Sequence, residues 1–208
     1  MKNYTTPQED FWANDFGTDY IARNNAKQLL ISKIAMFSDI LRRTNGISSA
    51  VEFGCNIGIN LIALKSLIPD IRIQAIEINP TAAEIARSNI PDAVISTGSI
   101  FDYQPDVCCD LAFTCGVMIH LNPELLPSVY DKLAALSKKY TVIAEYYNPS
   151  PVALPYRGHT DKLFKRDFAE EFMVRHPKFQ LVDYRFVYRK DPTFPLDDLT
   201  WFLFKNGH

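Results

Sequence analysis

The chain has 208 residues, of which 47% are hydrophobic and 22% are charged, so we expect one soluble globular domain. A net charge of −2 argues against a nucleic-acid partner, which usually requires a strongly basic face. No apolar run is long enough to span a bilayer, and the first ten residues lack the apolar core of a secretory signal. We therefore expect neither a membrane segment nor export.

The four cysteines, Cys55, Cys108, Cys109 and Cys115, form no CxxC pair and no Cys/His spacing suited to zinc. We therefore expect no bound metal and interpret all four as buried free thiols. Free thiols are typical of a reducing compartment, which predicts a cytoplasmic location.

Helix and strand patterns alternate along the chain after an irregular, aromatic N-terminal stretch. An amphipathic helix is predicted over Ala26–Arg43, where apolar residues recur at helical spacing. Two later helices begin with Asn-Pro, at Asn79-Pro80 and Asn122-Pro123, which is typical of a capped helix start. The predicted strands are Ala50–Phe53, Ile71–Ile76, Ala93–Ser96, Leu111–Thr114, Thr141–Ala144, Phe179–Tyr188 and Leu199–Phe204.

Short apolar strands that alternate with helices predict a mostly parallel sheet with helices on both faces. The last two strands follow one another without a helix between them, so we expect them to add an antiparallel pair to the sheet. Five βα units followed by such a pair resemble the Rossmann-like α/β layout of class I methyltransferases. We predict a single domain over residues 1–208, in which residues 1–45 form an N-terminal helical cap or lid.

The stretch VEFGCNIGIN, residues 51–60, predicts a strand that ends in a tight turn before a helix. Ligands of an open parallel sheet bind beyond such strand ends. Gly54 allows a sharp turn, Asn56 can adopt a left-handed conformation, and Gly58 allows either close helix packing or close approach of a ligand. Glu77 follows Gly54 by 23 residues at the end of the second strand, which is the spacing of an acidic residue that binds ribose hydroxyls.

This pattern suits either NAD or S-adenosylmethionine (SAM). We favour SAM because Glu52 precedes the turn, as in the acidic-x-Gly-x-Gly-x-Gly motif of methyltransferases, and because Asn56 and Ile59 replace two glycines of the dinucleotide motif. After the third strand, Ser99 occupies a position that is often acidic in methyltransferases, and Ile100 is placed to pack against adenine. The predicted cofactor-binding residues are Glu52, Gly54, Cys55, Asn56, Gly58, Glu77, Ile78, Ser99, Ile100 and Cys115.

Four longer segments are more distinctive than the turn: FWANDFGTDYIARN, CGVMIHLNPE, EYYNPSPVALPYRGHTDKLFKRDF and DLTWFLF. Together they resemble the methyltransferases associated with pseudaminic acid biosynthesis, over nearly the whole chain. The resemblance implies methyl transfer to a small sugar-related acceptor, such as a nonulosonic acid or its precursor in surface-glycan biosynthesis. It does not identify the acceptor, because that family's own acceptor is inferred from gene neighbourhood.

The long loop after the fifth strand, residues 145–164, carries aromatic and basic side chains on the predicted ligand edge. Its local positive charge predicts an anionic acceptor, with the Arg157 guanidinium on a carboxylate or phosphate; a solvated helix start is the alternative. The N-terminal aromatics form either a lid over the acceptor or ordinary packing against the sheet. The predicted acceptor-binding residues are Trp12, Tyr20, Tyr147, Tyr156, Arg157 and His159.

Methyl transfer to a hydroxyl or an ammonium needs a base, whereas transfer to a carboxylate does not. The candidate catalytic residues are Glu145, His120 and Tyr146, with His159 as a further possible base. We favour Glu145 because it ends a parallel strand, where function concentrates. Two other functions stay open: a SAM-binding partner in glycan assembly without catalysis, and an NAD(P)-dependent oxidoreductase.

Overall fold

The computed structural model of the protein describes residues 4–21, 26–105 and 107–207. Two short 3₁₀ helices, Met118–His120 and Pro123–Leu125, precede the sixth of its α-helices. The α-helices within these residues are α1 (Pro7–Ala13), α2 (Asp15–Ile21), α3 (Ala26–Leu41), α4 (Ile59–Leu67), α5 (Pro80–Asn89), α6 (Leu126–Leu136) and α7 (Phe168–Arg175). The strands are β1 (Ser49–Phe53), β2 (Arg72–Glu77), β3 (Val94–Thr97), β4 (Cys109–Cys115), β5 (Ser137–Glu145), β6 (Val152–Ala153), β7 (Phe164–Lys165), β8 (Phe179–Val187) and β9 (Leu199–Asn206).

Seven of the strands form one sheet, in the order β3-β2-β1-β4-β5-β9-β8. β1 to β5 run parallel to one another, and β9 pairs antiparallel with both β5 and β8. The strand order reverses between β1 and β4, so the carboxyl ends of these two strands flank the crevice where open α/β sheets bind ligands. The predicted α/β sheet with an antiparallel C-terminal pair is confirmed.

Helices cover both faces of the sheet, and the central strands β1, β4 and β5 are therefore buried on both sides. α3, α4 and α5 contribute to one core, where Phe37 and Leu64 are fully buried. α6 and α7 contribute to the other, where Val129 and Phe172 are fully buried. Among the described helices, none combines the length and apolar character that crossing a bilayer would require.

Two details of the alternation differ from the prediction. α3 ends at Leu41 and not at Arg43, because the Arg43 amide bonds the carbonyl of Ile40 and closes the helix with a tighter turn. Between β3 and β4, the described residues 98–105 and 107–108 contain turns and no helix. The expected βα repeat is therefore interrupted there, and the chain returns to the sheet over a short irregular connection.

All four cysteines are free thiols. Cys55 and Cys109 are buried, as predicted. Cys108 and Cys115 are only half-buried, so the prediction that every thiol is buried is wrong for these two. Cys115 is the last residue of β4, where the sheet meets the crevice, and this position explains its exposure.

The N-terminal helices are held on the ligand edge of the sheet by capping bonds and by one amide. α1 begins with a capping box, in which the Glu9 amide donates to the Thr6 hydroxyl and the Thr6 amide donates to the Glu9 carboxylate. Asn79 Oδ1 caps α5, while its Nδ2 lies 3.3 Å from the carbonyl oxygens of residues 12, 13 and 14. Within the predicted cap over residues 1–45, residues 1–3 and 22–25 lie outside the described residues, and the role as a lid stays a prediction.

Candidate functional site

A cleft opens at the carboxyl ends of β1, β2 and β4, and its cavity volume is about 250 Å³. A cavity of this size lies near the lower end of the range of roughly 300–1,000 Å³ that is typical of a small-molecule site. The predicted site residues that line the cleft are Trp12, Tyr20, Gly54, Cys55, Asn56, Glu77, Ile78, Ile100, Cys115, His120, Tyr146 and Tyr156. The predicted site residues that do not are Glu52, Gly58, Ser99, Glu145, Tyr147, Arg157 and His159.

The turn after β1 has the left-handed conformations that the sequence predicts. Gly54, Asn56 and Gly58 have φ values of 74°, 48° and 84°. Asn56 supports its own turn, because its Oδ1 accepts from the Ile57 amide at 2.7 Å. A Cβ added at Gly54 would lie 2.7 Å from Cγ2 of Val117, so both the backbone conformation and the packing against the loop after β4 require glycine there.

Of the two roles that the sequence leaves open for Gly58, the structure supports helix packing. Gly58 lies at the start of α4, and a Cβ there would lie 2.7 Å from Cδ1 of Ile90 and 3.5 Å from Cβ of Ala86. Both neighbours belong to α5 or its C-terminal cap. The predicted contact of Gly58 with a cofactor is therefore corrected, since the space beside it is filled by protein.

Glu77 lines the cleft with a carboxylate that two backbone amides hold in place. Its Oε2 accepts from the Asn56 amide at 2.7 Å, and its Oε1 accepts from the Asn79 amide at 2.8 Å. Burial raises the pKa of Glu77, and these hydrogen bonds oppose that shift. Each carboxylate oxygen has more than one acceptor site, so Glu77 can also accept hydrogen bonds from the hydroxyls of a ligand.

Glu52 does not line the cleft but bonds to Asn60, which does, so the predicted direct contact of Glu52 with the cofactor is revised. It is fully buried, and its Oε1 accepts from Asn60 Nδ2 at 2.6 Å. Burial raises the pKa of Glu52 to about 8, so the side chain is protonated at neutral pH. Asn60 does line the cleft, as does the buried Lys33, whose Nζ lies 2.9 Å from Sγ of Cys115.

Beyond β3, apolar side chains and one buried carboxylate form the wall of the cleft. The lining residues are Ile78, which follows β2, Ile100 and Phe101, which follow β3, and Glu9 of α1. The Ser99 hydroxyl accepts from the Phe101 amide at 3.0 Å and hydrogen-bonds to the Glu9 carboxylate. Ser99 therefore lies behind Glu9, and the predicted direct contact of Ser99 with a cofactor is revised.

His120 lines the cleft in one defined protonation state. Its Nδ1 lies 2.6 Å from the carbonyl oxygen of Lys162, and because a carbonyl only accepts, Nδ1 carries the proton and Nε2 keeps its lone pair. Burial lowers the pKa of His120 from its ordinary 6.5 to about 4, so the ring is neutral at physiological pH. Its centroid lies 4.5 Å from that of Trp12 and 5.1 Å from that of Tyr156.

Glu145 supports the loop after β4 and does not face the cleft, so the prediction that it is the base is corrected. Its Oε1 accepts from the Thr114 hydroxyl at 2.9 Å and from the amides of residues 117 and 118 at 3.1 Å. Its Oε2 accepts from the amide of residue 119 at 3.4 Å. The residue is 2% exposed, and burial raises its pKa to about 7 against the effect of these bonds. Glu145 is a positioning residue for the loop that carries His120.

Aromatic side chains from separate segments line the part of the cleft around His120. They come from the N-terminal helices and from the long loop after β5, and they are Trp12, Tyr20, Tyr146 and Tyr156. Burial raises the pKa of Tyr146, which therefore stays a neutral hydroxyl at physiological pH. Asp197, in the connection between β8 and β9, adds a carboxylate to this wall.

Three predicted acceptor-binding residues lie outside the cleft, where their side chains are exposed: Tyr147, Arg157 and His159. Arg157 adopts a left-handed backbone conformation with a φ of 50°. Its guanidinium carbon lies 5.6 Å from the ring centroid of Tyr156, which does line the cleft. Arg157 is thus separated from the cleft by one aromatic ring, and its role as an anchor stays a prediction.

No family model matches the chain. Solved structures with a similar fold cover nearly all of it. The magnesium protoporphyrin IX methyltransferase from Synechocystis PCC 6803, solved with bound SAM, is 13% identical with a TM-score of 0.67, and the match covers 99% of this chain and 100% of that one. An amino pentose methyltransferase from Micromonospora echinaspora is 11% identical with a TM-score of 0.64, and the match covers 99% of each chain. The chain has the class I methyltransferase fold.

A curated relative matches over a shorter segment. The O-methyltransferase imqG of Aspergillus flavus is 42% identical over 59 residues, which are 28% of this chain and 24% of that protein. The match thus spans about a quarter of the relative's length. These comparisons support the methyltransferase fold and leave the pseudaminic acid resemblance a prediction.

Several residues that line the cleft are not among the predicted site residues: Gln8, Glu9, Lys33, Asn60 and Asp197. For Glu9 the sequence does contain a signal, because TPQE fits a capping box, yet that signal predicts a helix start and not a ligand site. Lys33 interrupts the apolar run LLISKIAMF, which contains no acidic residue. A lysine in such a run is a weak sign of a buried cation.

Proposed function

We propose that the protein is a SAM-dependent methyltransferase that acts on a small acceptor. The main support is the composition of the cleft, which joins a glycine-containing turn and Glu77 to an aromatic wall around a neutral His120. A carboxylate after β2 suits the ribose of a nucleoside cofactor. A neutral imidazole suits an acceptor that must lose a proton.

The residues present fit the cofactor. Glu77 would accept from the ribose hydroxyls, while Ile78 and Ile100 would contact the adenine. The buried Lys33 would pair with the carboxylate of the methionine part, since among the described residues the acceptor bonded to its Nζ is the weakly accepting thiol of Cys115. The magnesium protoporphyrin IX methyltransferase of the same fold has been solved with bound SAM and with bound SAH (S-adenosylhomocysteine), which supports this assignment.

When bound, SAM supplies an electrophilic methyl group for in-line displacement. His120 Nε2 would accept the proton of an acceptor hydroxyl, and the bond from Nδ1 to Lys162 holds the ring in the tautomer that this role requires. Trp12 and Tyr156 would hold the acceptor against His120 and exclude water. The low pKa of His120 keeps the base unprotonated across the physiological range.

We propose a sugar-related acceptor, a nonulosonic acid or its activated precursor. The support is the sequence resemblance together with the aromatic wall, whose apolar rings suit the faces of a sugar ring. A protein of similar fold is named as an amino pentose methyltransferase, and another as a mitomycin 7-O-methyltransferase. Arg157, beside Tyr156, would meet a carboxylate or phosphate that extends beyond that ring.

We also propose that residues 1–208 act as one domain in the cytoplasm, with the N-terminal helices as a cap over the acceptor. Free thiols support a reducing compartment. Bonds from Asn79 to the end of α1 and from Gln8 to the carbonyl of Asp161 support a cap that joins the sheet edge to the loop after β5.

Two experiments test the proposal. In calorimetric titrations of the purified protein, SAH should bind and NADH should not; the reverse result would favour an oxidoreductase. Methyl transfer to nonulosonic acids and their nucleotide-linked precursors, followed by mass spectrometry, should give a product 14 Da heavier. Tight SAH binding without transfer to any small hydroxyl compound in a broad panel would favour a non-catalytic SAM-binding partner.

A further inference from the structure

The N-terminal helix brings a buried carboxylate to the apolar part of the cleft. Glu9 is 4% exposed, and it lines the cleft together with Ile78, Ile100 and Phe101. Within residues 4–21, 26–105 and 107–207, no salt bridge joins Glu9 to a lysine or an arginine. A buried carboxylate is stable only when hydrogen-bond donors surround it. The donors around Glu9 therefore determine which of its acceptor sites remain for a ligand.

Among the described residues, the hydrogen bonds to Glu9 leave one acceptor site of its carboxylate open. Oε2 accepts from the amides of residues 5 and 6, both at 3.0 Å. The Ser99 hydroxyl accepts from the Phe101 amide, so its proton goes to Glu9 Oε1. A carboxylate oxygen has two acceptor sites, and Oε1 uses one of them for Ser99. The remaining site calls for a ligand that donates a hydrogen bond.

The bases of nucleoside cofactors differ in the positions of their hydrogen-bond donors. Adenine offers ring nitrogens that accept and an exocyclic amine that donates. The apolar side chains of Ile78 and Ile100 suit the faces of a planar base, which leaves the edge of the base to a polar partner. We infer that Glu9 binds the exocyclic amine of the adenine in the bound cofactor. The assignment rests on the proposed function, since it concerns the same cofactor.

In this site the carboxylate comes from α1 and not from the loop after β3, where the position of Ser99 is often acidic in methyltransferases. The Ser99 hydroxyl in that loop already bonds to Phe101 and to Glu9, and Glu9 of α1 provides the carboxylate. Ser99 and the capping box at Thr6 then serve to fix the carboxylate. A base that lacks the amine leaves the Glu9 oxygen without its donor, so the site binds that base more weakly.

The test compares two ligands that differ at that one position, SAH and its analogue in which a hydrogen replaces the exocyclic amine of the base. Calorimetry should show that the wild-type protein prefers SAH by about 30-fold or more. In Glu9→Gln, which keeps its place in the capping box and can either donate or accept, the preference should fall to within about threefold. Glu124→Gln is the matched control, because it makes the same change from carboxylate to amide at an exposed residue outside the cleft, and it should keep the preference.

The outcomes separate the assignment from the proposed function. If SAH binds tightly and Glu9→Gln keeps the full preference, the assignment to Glu9 is overturned while the proposed function stands. If neither ligand binds the wild-type protein, the proposed function fails and the assignment fails with it. A thermal melt of Glu9→Gln, expected within a few degrees of wild type, shows that a lost preference is not lost folding.

Discussion

Replacing His120 by Asn separates the roles of the two ring nitrogens. The amide of Asn lies where Nδ1 lies and can still donate to the carbonyl of Lys162, but it provides no lone pair at the position of Nε2. Base catalysis contributes roughly 10²–10⁴-fold to a rate, so kcat should fall by about that factor. SAH affinity should stay within about threefold, because Glu77 and the turn after β1 are untouched.

The pH dependence provides a second measurement of the same role. Burial lowers the pKa of His120 from 6.5 to about 4, a shift that corresponds to roughly 3 kcal/mol against the charged ring. The neutral ring is the base, so kcat/KM of the wild-type protein should be flat from about pH 8 down to about pH 5 and fall as the pH approaches 4. His120→Asn should lack this fall.

The assay measures initial rates of methyl transfer, by mass spectrometry, on the acceptor found in the panel and over a series of pH values. His176→Asn is the control, because His176 lies at the end of α7 and outside the cleft. If His120→Asn keeps kcat within about threefold of wild type, the reaction needs no base at this position. That result would refute the assignment of His120 and would point to a carboxylate as the acceptor.

Four further measurements follow from the site and its supports. Glu77→Ala should weaken SAH binding by about 1.5–3 kcal/mol in calorimetry, and unchanged affinity would remove Glu77 from the cofactor site. Gly58→Val should lower the unfolding free energy by more than about 1 kcal/mol in urea, because a left-handed φ and the contact with α5 both exclude a Cβ; a normal midpoint would contradict the packing role. The folded-state pKa values of Glu52, about 8, and Glu145, about 7, lie above the ordinary 4.5. Their contribution to the stability of the ligand-free protein should therefore be fully present below about pH 4.5 and be lost as the pH rises toward 8; a gain over that range in urea unfolding would contradict this. Arg157→Lys should raise the KM of an anionic acceptor about tenfold with SAH affinity unchanged, and a loss of SAH affinity would argue against its role as an acceptor anchor.

The sheet could be predicted because its information is local. Strand segments such as VEF before Gly54 and AIE before the next turn are short and mostly apolar. Asn56, which has a left-handed conformation, is one of the few residue types that tolerate it. The position of Glu77 beside the turn could be predicted for the same reason, since one spacing connects it to the turn. Such features depend on neighbours in sequence, so sequence patterns report them.

The parts that failed depend on contacts between distant segments. Glu145 ends a parallel strand as expected, but the loop after β4 folds over it and takes up its oxygens, which no pattern near residue 145 indicates. Glu9 meets Ser99 across 90 positions of sequence, and Lys33 meets Cys115 across 82. Burial and hydrogen-bond partners of this kind are set by the assembled fold, and a single sequence does not record them.

The helix α1 contacts both ends of the cleft, with Glu9 beside Ser99 and Trp12 beside His120. Its seven residues span only about 10 Å, so a displacement of the helix would carry Glu9 and Trp12 together. Under the proposed function, release of the spent cofactor past Glu9 would then also open the wall that Trp12 forms beside His120. In kinetic terms, we expect the two products to depart in a linked order, with displacement of α1 as a shared step that can limit turnover more than the methyl transfer itself does.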